Sequence, residues 1–163
     1  YKKDFTADRV FCCIGTTASK TKEKELYKSI DYGIPVTAAK LAKQNNIHTF
    51  VVMSSMGADA KSSVFYNRTK GEMEQAVLQQ KIAHTFIVRP SLIGGDRKEF
   101  RFGEKIGQGI LKMLNPLLIG GLKKYRMIHP EKIARCMQIL ANEHDDDKII
   151  SSDKILTIIQ CME

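Results

Sequence analysis

Tyr66 and Lys70 stand four residues apart in the run Tyr66-Asn-Arg-Thr-Lys70, a spacing that places both on one face of a helix. An ordinary phenol ionises near pH 10 and relays protons poorly at neutral pH. A neighbouring ammonium favours the phenolate: at ~4 Å and an effective dielectric of ~20 the attraction is about 4 kcal/mol before desolvation. Such a phenol can give a proton to a carbonyl oxygen, or take one from an alcohol, as a hydride moves. Ser55 precedes Tyr66 by eleven residues and can hold the same oxygen through its hydroxyl. A bare Tyr-x-x-x-Lys pair is common on helix surfaces. The ordered placement of Ser54-Ser55 before it and Arg89-Pro90 after it is what raises this pair above that background.

The elements that must position these residues alternate along the chain. Val10–Ile14 is a short apolar run ending at Gly15, which suits a strand buried on both faces. Asp31 to Asn46 reads as a helix ended by Asn45-Asn46. Thr49–Met53 is a second buried strand, followed by Ser54-Ser55. Tyr66 to Gln80 is a helix whose core stripe holds Met73, Ala76 and Val77. Thr85–Val88 is a third strand, ending at Arg89-Pro90. Beyond it, Gly94-Gly95-Asp96 reads as a loop and Glu104–Leu114 as a helix. His129-Pro130-Glu131 opens a helix that runs to about Asn142, with proline where its missing N–H costs nothing. Ile155–Ile159 reads as a last strand. Strand–helix alternation with apolar strands predicts a single α/β domain over residues 1–163: a parallel, doubly wound sheet with helices on both faces. In such sheets ligands sit beyond the carboxyl ends of the strands. Gly15-Thr16-Thr17, Ser54-Ser55 and Arg89-Pro90-Ser91-Leu92 should therefore share one edge.

The chain has 163 residues, 43% of them hydrophobic and 27% charged, enough for one buried core and too apolar for wholesale disorder. No apolar run approaches the ~18 residues of a membrane span, and no signal or transit peptide is visible. The net charge is +8, but the basic residues are scattered. In the densest stretch, Lys20–Lys28, Glu23 and Glu25 alternate with lysine, as on a solvated surface. No nucleic-acid-binding motif appears, so no specific nucleic-acid partner is expected. Cys12, Cys13, Cys136 and Cys161 show no metal spacing, and the four histidines stand alone, so no metal is expected either. Reduced thiols without a targeting segment point to the cytoplasm. Asp145-Asp146-Asp147 lacks the glycine and distal glutamate of a calcium loop and reads as a polar turn.

The run Ser54-Ser-Met-Gly-Ala-Asp59, then Tyr66-x-x-x-Lys70-Gly-Glu-Met-Glu74, then Val88-Arg-Pro90, resembles the atypical short-chain dehydrogenases/reductases. Within them it is most similar to a subgroup typified by a Tat-interacting oxidoreductase-like protein. Cys12-Cys-Ile-Gly-Thr-Thr17, Asp96-Arg97 with Glu99 and Arg101, and Tyr125-Arg-Met-Ile-His129 extend the resemblance over about residues 8 to 142. It implies a Rossmann-like fold that binds NADP(H), or NAD(H), and transfers a hydride to or from a carbonyl or alcohol substrate. Ser55, Tyr66 and Lys70 would form the catalytic trio. Gly15, Thr16, Thr17 and Ser54 would lie along the cofactor with Tyr66 and Lys70, and Pro90, Ser91 and Leu92 would offer main-chain contacts near the nicotinamide. The segment 97–124 would cap the substrate site. A dinucleotide-binding regulator or scaffold with little catalysis is the alternative.

The glycine-rich strand–turn–helix with which such proteins begin is absent from these residues. Gly107-Gln-Gly109-Ile-Leu-Lys112 lacks a third glycine and follows no strand. The chain opens at Tyr1, and about two βα units, roughly 60 residues, are expected upstream to carry the phosphate loop.

Overall fold

A computed structural model describes residues 2–94, 125–143 and 145–161. Four strands form one sheet: β1 (Arg9–Cys12), β2 (Thr49–Met53), β3 (His84–Arg89) and β4 (Ile149–Ser151). They are parallel and lie side by side in chain order, with Cys12 beside Val52, Val52 beside Ile87 and Ile87 beside Ile149. Because side chains alternate along a strand, the central strands β2 and β3 feed two cores, and the outer strands β1 and β4 feed one each. Cys12, Phe50, Val52 and Ile87 face one side. There they meet Val36, Ala39 and Ala42 of α2 (Ile34–Gln44) and Met73 and Val77 of α3 (Phe65–Leu78). Val51, Phe86, Val88 and Ile150 face the other side. They meet Ile133, Cys136, Met137 and Leu140 of α4 (Pro130–Asn142), and Ile155 and Ile159 of α5 (Ser152–Gln160). This is the expected α/β, Rossmann-like arrangement, with a parallel sheet between two helical layers.

Three local expectations are corrected. Val10–Ile14 is not buried on both faces: the strand ends at Cys12, and Phe11 and Ile14 are 45% and 46% exposed. Among the described residues β1 is the sheet edge, and Phe11 is left half-exposed there. The first helix begins earlier than Asp31. α1 (Lys24–Lys28) runs through a π-helical turn at Ser29–Gly33 into α2, and Tyr27 is buried within the stretch expected to be wholly solvated. Ile155–Ile159 is helical rather than a strand. Ser151 stands at its N-cap, Asp153 lies in its first turn, and Ile155 and Ile159, four apart, are the buried pair. The last strand is the three-residue Ile149–Ser151, whose side chains alternate exposed, buried, exposed.

The other boundaries match their signals. Asn46, with φ of 56°, takes the left-handed conformation that ends α2, and the Ile47 N–H closes the turn on the Ala42 carbonyl at 2.9 Å. Pro130 opens α4 behind His129. The readings of Gly95-Asp96, of a helix at Glu104–Leu114, of the glycines near 107–109 and of a cap over 97–124 lie outside the described residues. Among the described residues no helix is long and apolar enough to cross a membrane.

Candidate functional site

Parallel pairing brings the carboxyl ends of β1, β2 and β3 to one edge, and each end delivers a different kind of group. After β2 the chain is tied to its neighbour: the Ser54 N–H donates to the Val88 carbonyl at 2.7 Å, and the Met56 N–H to the Pro90 carbonyl at 3.1 Å. The loop then folds onto α3. The Asp59 N–H donates to the Asn67 carbonyl at 3.0 Å. Gly71 lets that loop come close, because a Cβ there would sit 2.1 Å from the Ala60 nitrogen. Ser55 is thus held at the strand end with its Oγ buried and without a hydrogen-bond partner among the described residues. Leaving a buried hydroxyl without a partner costs about 1–3 kcal/mol.

Tyr66 lies in the first turn of α3 and is 38% exposed. Lys70, on the next turn, is buried. Its ammonium lies 2.9 Å from Asp31 Oδ1, and the two side chains are 6% and 1% exposed. Asp31 belongs to the π-helical turn, and its Oδ2 accepts the Thr16 N–H at 2.7 Å. Gly15 lies over this pair: a Cβ there would meet Asp31 Oδ1 at 3.3 Å and Lys70 Nζ at 3.7 Å. Gly15, Thr16 and Lys70 therefore come together as expected, through a carboxylate that the sequence reading did not single out. No hydrogen bond joins Tyr66 to Ser55 or to Lys70 among the described residues.

The remaining site candidates are occupied by the fold to different degrees. Ser54 Oγ donates to Glu74 Oε1 at 2.5 Å, and Arg89 Nε donates to the same oxygen at 2.8 Å while its Nη2 reaches Oε2. Glu74 is buried, and its hydrogen bond raises the already high Arg89 guanidinium value further. Ser54 thus braces β2, α3 and β3 together. Thr16 Oγ1 shares a hydrogen bond with Thr21 Oγ1, and Thr17 Oγ1 with Ser19 Oγ, each at 2.8 Å. Ser91 Oγ donates to the Arg126 carbonyl, its N–H to Ser152 Oγ at 3.3 Å, and the Leu92 carbonyl accepts the Ile128 N–H at 3.0 Å. These main-chain groups of 91 and 92 are bound to the 125–128 segment and to the start of α5. Arg97 and Arg101 lie outside the described residues. Among the described residues no group of His, Cys, Asp or Glu is placed to hold a metal.

Asp31 and Glu74 are the two site residues that the sequence reading passed over. Each is an acid within a helical run, and only their burial, 1% and 3% exposed, separates them from surface carboxylates. The signal available in the sequence was weak: Glu74 lies one turn beyond Lys70, and Asp31 stands where the expected helix begins.

No family model matches the chain. It is similar to "Protein FMP52, mitochondrial" of Candida albicans, with 39% identity over 120 residues, which are 73% of this chain and 52% of that one. It spans about half the length of the curated relatives it matches. Among solved structures it resembles L-threonine 3-dehydrogenase of Trypanosoma brucei, with a TM-score of 0.66, 15% identity, and cover of 98% of this chain and 60% of that one. It also resembles MoeE5 in complex with UDP-glucose and NAD, with a TM-score of 0.57, 13% identity, and cover of 94% and 62%. These likenesses agree with the Rossmann-like fold. They do not extend to the Tat-interacting subgroup, because the sequence relatives carry another name. The cytoplasmic expectation is also overturned, since relatives in several fungi are named as mitochondrial.

Proposed function

We propose that this chain is part of an NAD(P)(H)-dependent oxidoreductase of the short-chain type, with Ser55, Tyr66 and Lys70 as its proton relay. The observation that carries the reading is the buried Ser55 hydroxyl at the end of β2, unpartnered among the described residues, on the same sheet edge as the α3 segment that bears Tyr66 and Lys70. That hydroxyl fits a ligand oxygen, and Gly15 over the Lys70 ammonium fits the close approach of a cofactor to the end of β1. When bound, the dinucleotide supplies or accepts the hydride.

The protein's own groups do the rest. Ser55 holds the substrate oxygen. Tyr66, open at the rim, passes a proton to or from it. Lys70 places a positive charge at the floor beneath Gly15 and donates toward ribose hydroxyls. Gly15, Thr16 and Thr17 line the cofactor path from β1, and Pro90, Ser91 and Leu92 border it from β3. NADP is the favoured dinucleotide, and a structural neighbour that holds NAD keeps the other in view. The names of the fungal relatives support a mitochondrial location, which a fluorescent fusion of the full-length protein tests against a mitochondrial marker.

The relay is tested by Tyr66→Phe in the full-length protein, screened with aldehydes and ketones and both reduced cofactors. A fall in turnover of at least a hundredfold is expected; activity within threefold of the parent sinks the assignment. A second reading, a dinucleotide-binding regulator with little catalysis, is favoured by one observation: Lys70 is paired with Asp31 and not with Tyr66. Micromolar cofactor binding without turnover of any tested carbonyl would support that reading.

A further inference from the structure

Lys70 cannot be the lysine of an isolated Tyr–Lys pair, because a second charge sits against it. The Asp31 carboxylate uses its two oxygens on different partners. Oδ1 lies 2.9 Å from Lys70 Nζ, and Oδ2 takes the Thr16 N–H at 2.7 Å. Neither side chain meets solvent to any extent, at 1% and 6% exposure. A charge buried this deeply is costly unless it is paired, and a buried ion pair contributes little net stability against apolar replacements. The pair is therefore poorly explained by stability alone. Its location supplies a better reason, since it joins three segments that meet only at the carboxyl edge of the sheet: the loop after β1, the π-helical turn, and α3.

The π-helical turn itself is part of the arrangement. A π turn inserts an extra residue into a helix, and such turns cluster at functional sites. Here the distortion falls at Ser29–Gly33, and Asp31 is the residue it buries. Gly15 lies on the open side of the pair, where a Cβ would come to 3.3 Å from Asp31 Oδ1. Oδ1 accepts no hydrogen bond among the described residues, so the carboxylate holds the ammonium beneath Gly15 by its charge and leaves the ammonium's three N–H donors for a ligand.

We propose that Asp31 is a positioning residue, holding the Lys70 ammonium under Gly15 at the end of β1 so that it meets the nicotinamide-side ribose of a bound dinucleotide. The inference rests on the dinucleotide part of the function proposed above, and not on turnover. Asp31 touches no ligand in this account and acts through Lys70.

The test is equilibrium binding to the full-length protein of NADPH, NADH and, as a control, ADP, which has the adenosine half and lacks the nicotinamide ribose. Asp31→Asn keeps the size of the side chain and its capacity to accept the Thr16 N–H. It is expected to weaken binding of the reduced dinucleotide at least tenfold and to leave ADP within twofold, with Asp31→Glu recovering part of the loss. Equal weakening of ADP and dinucleotide would show a merely structural role and overturn the proposal, as would unchanged binding of both. Should Asp31→Asn fail to fold, the comparison moves to Lys70→Gln against the neutral double variant Lys70→Gln/Asp31→Asn. With Lys70 gone, loss of Asp31 is expected to change dinucleotide affinity less than twofold, and a further tenfold loss would overturn the proposal. If the parent protein binds neither dinucleotide nor ADP, the dinucleotide reading itself fails, and the positioning role fails with it.

Discussion

The four cysteines show how residue type alone misleads about reactivity, since a thiol reacts as its thiolate. Cys136 is buried against β2 and β3 in the α4 layer. Burial, and after it the Asp145 carboxylate, push its thiol up to about 12, against a smaller opposing pull from Lys154. Burial likewise raises Cys12, which is closed into the opposite core, and Cys13, whose Sγ lies 4.0 Å from Met137 Sδ. Cys161, beyond the end of α5, is exposed. An aromatic disulfide reagent at pH 8 is expected to modify Cys161 first and Cys13 more slowly, and to reach Cys12 and Cys136 only after denaturation. Mass mapping of the labelled peptides checks the order. Rapid labelling of Cys136 in the native protein would contradict its placement in the core. At the same scale, Glu74 answers two needs at once: it takes the Ser54 hydroxyl and the Arg89 guanidinium, so three elements share one buried carboxylate.

At the scale of elements, the site depends on how closely the loop after β2 lies on α3. Gly71 is the residue that permits the contact. A Cβ there would lie 2.1 Å from the Ala60 nitrogen and 2.3 Å from the Asp59 carbonyl carbon, both main-chain atoms that cannot swing aside. Gly71→Ala would ordinarily stabilise a helix interior by about 0.5–1 kcal/mol. Here the sign reverses: overpacking of this kind costs about 1–3 kcal/mol. Urea unfolding at neutral pH is expected to show net destabilisation. Because the displaced loop begins at Ser55, cofactor-dependent activity should fall further than stability does. A stabilised Gly71→Ala protein would mean that the loop does not pack on α3 in this way.

At the scale of the whole molecule, an ion-pair cluster ties α5 to the turn before β4 and carries a pH dependence. Lys154 of α5 spans the turn before β4, donating to Asp145 Oδ1 at 2.7 Å and to Asp147 Oδ2 at 2.6 Å. Burial alone would raise Asp145, but the hydrogen bond from Lys154 and the Asp147 N–H outweigh it and hold the carboxyl below its ordinary value. Burial alone would lower Lys154, and its two carboxylate partners outweigh that and raise it. A depressed acid stabilises the fold above its unfolded value and loses that contribution as pH falls through its folded one. A raised base contributes fully below its unfolded value, about 10.4, and loses the contribution as pH rises through its folded one. The melting temperature is therefore expected to fall toward both pH 3 and pH 11, and Lys154→Met is expected to flatten both limbs. Parallel curves for the two proteins would show that the clamp carries no pH dependence.

How far the molecule was legible from its residues follows from the range of the forces involved. Patterns set by neighbours in the chain were readable. Thr49–Met53 is a strand because five successive apolar or β-branched residues need burial on two faces. Pro130 behind His129 starts a helix, and Asn46 ends one, because those backbones have few other options. Parallel order, and with it the gathering of Gly15, Ser55 and Arg89 on one edge, followed from strand–helix alternation. Ile155–Ile159 misled because β-branched residues suit either state, and only the two-sided demand of the α4 layer and β4 selected the helix, with Ile155 and Ile159 inward. The exposure of Phe11 depends on what covers the β1 edge, which no local pattern records. The same holds for charge. Tyr66, Lys70 and Ser55 are readable by spacing, but Asp31 reaches Lys70 across 39 residues and Glu74 reaches Arg89 across 15. Such partners are chosen by burial, because a charge taken out of water must find an opposite one wherever the fold brings it.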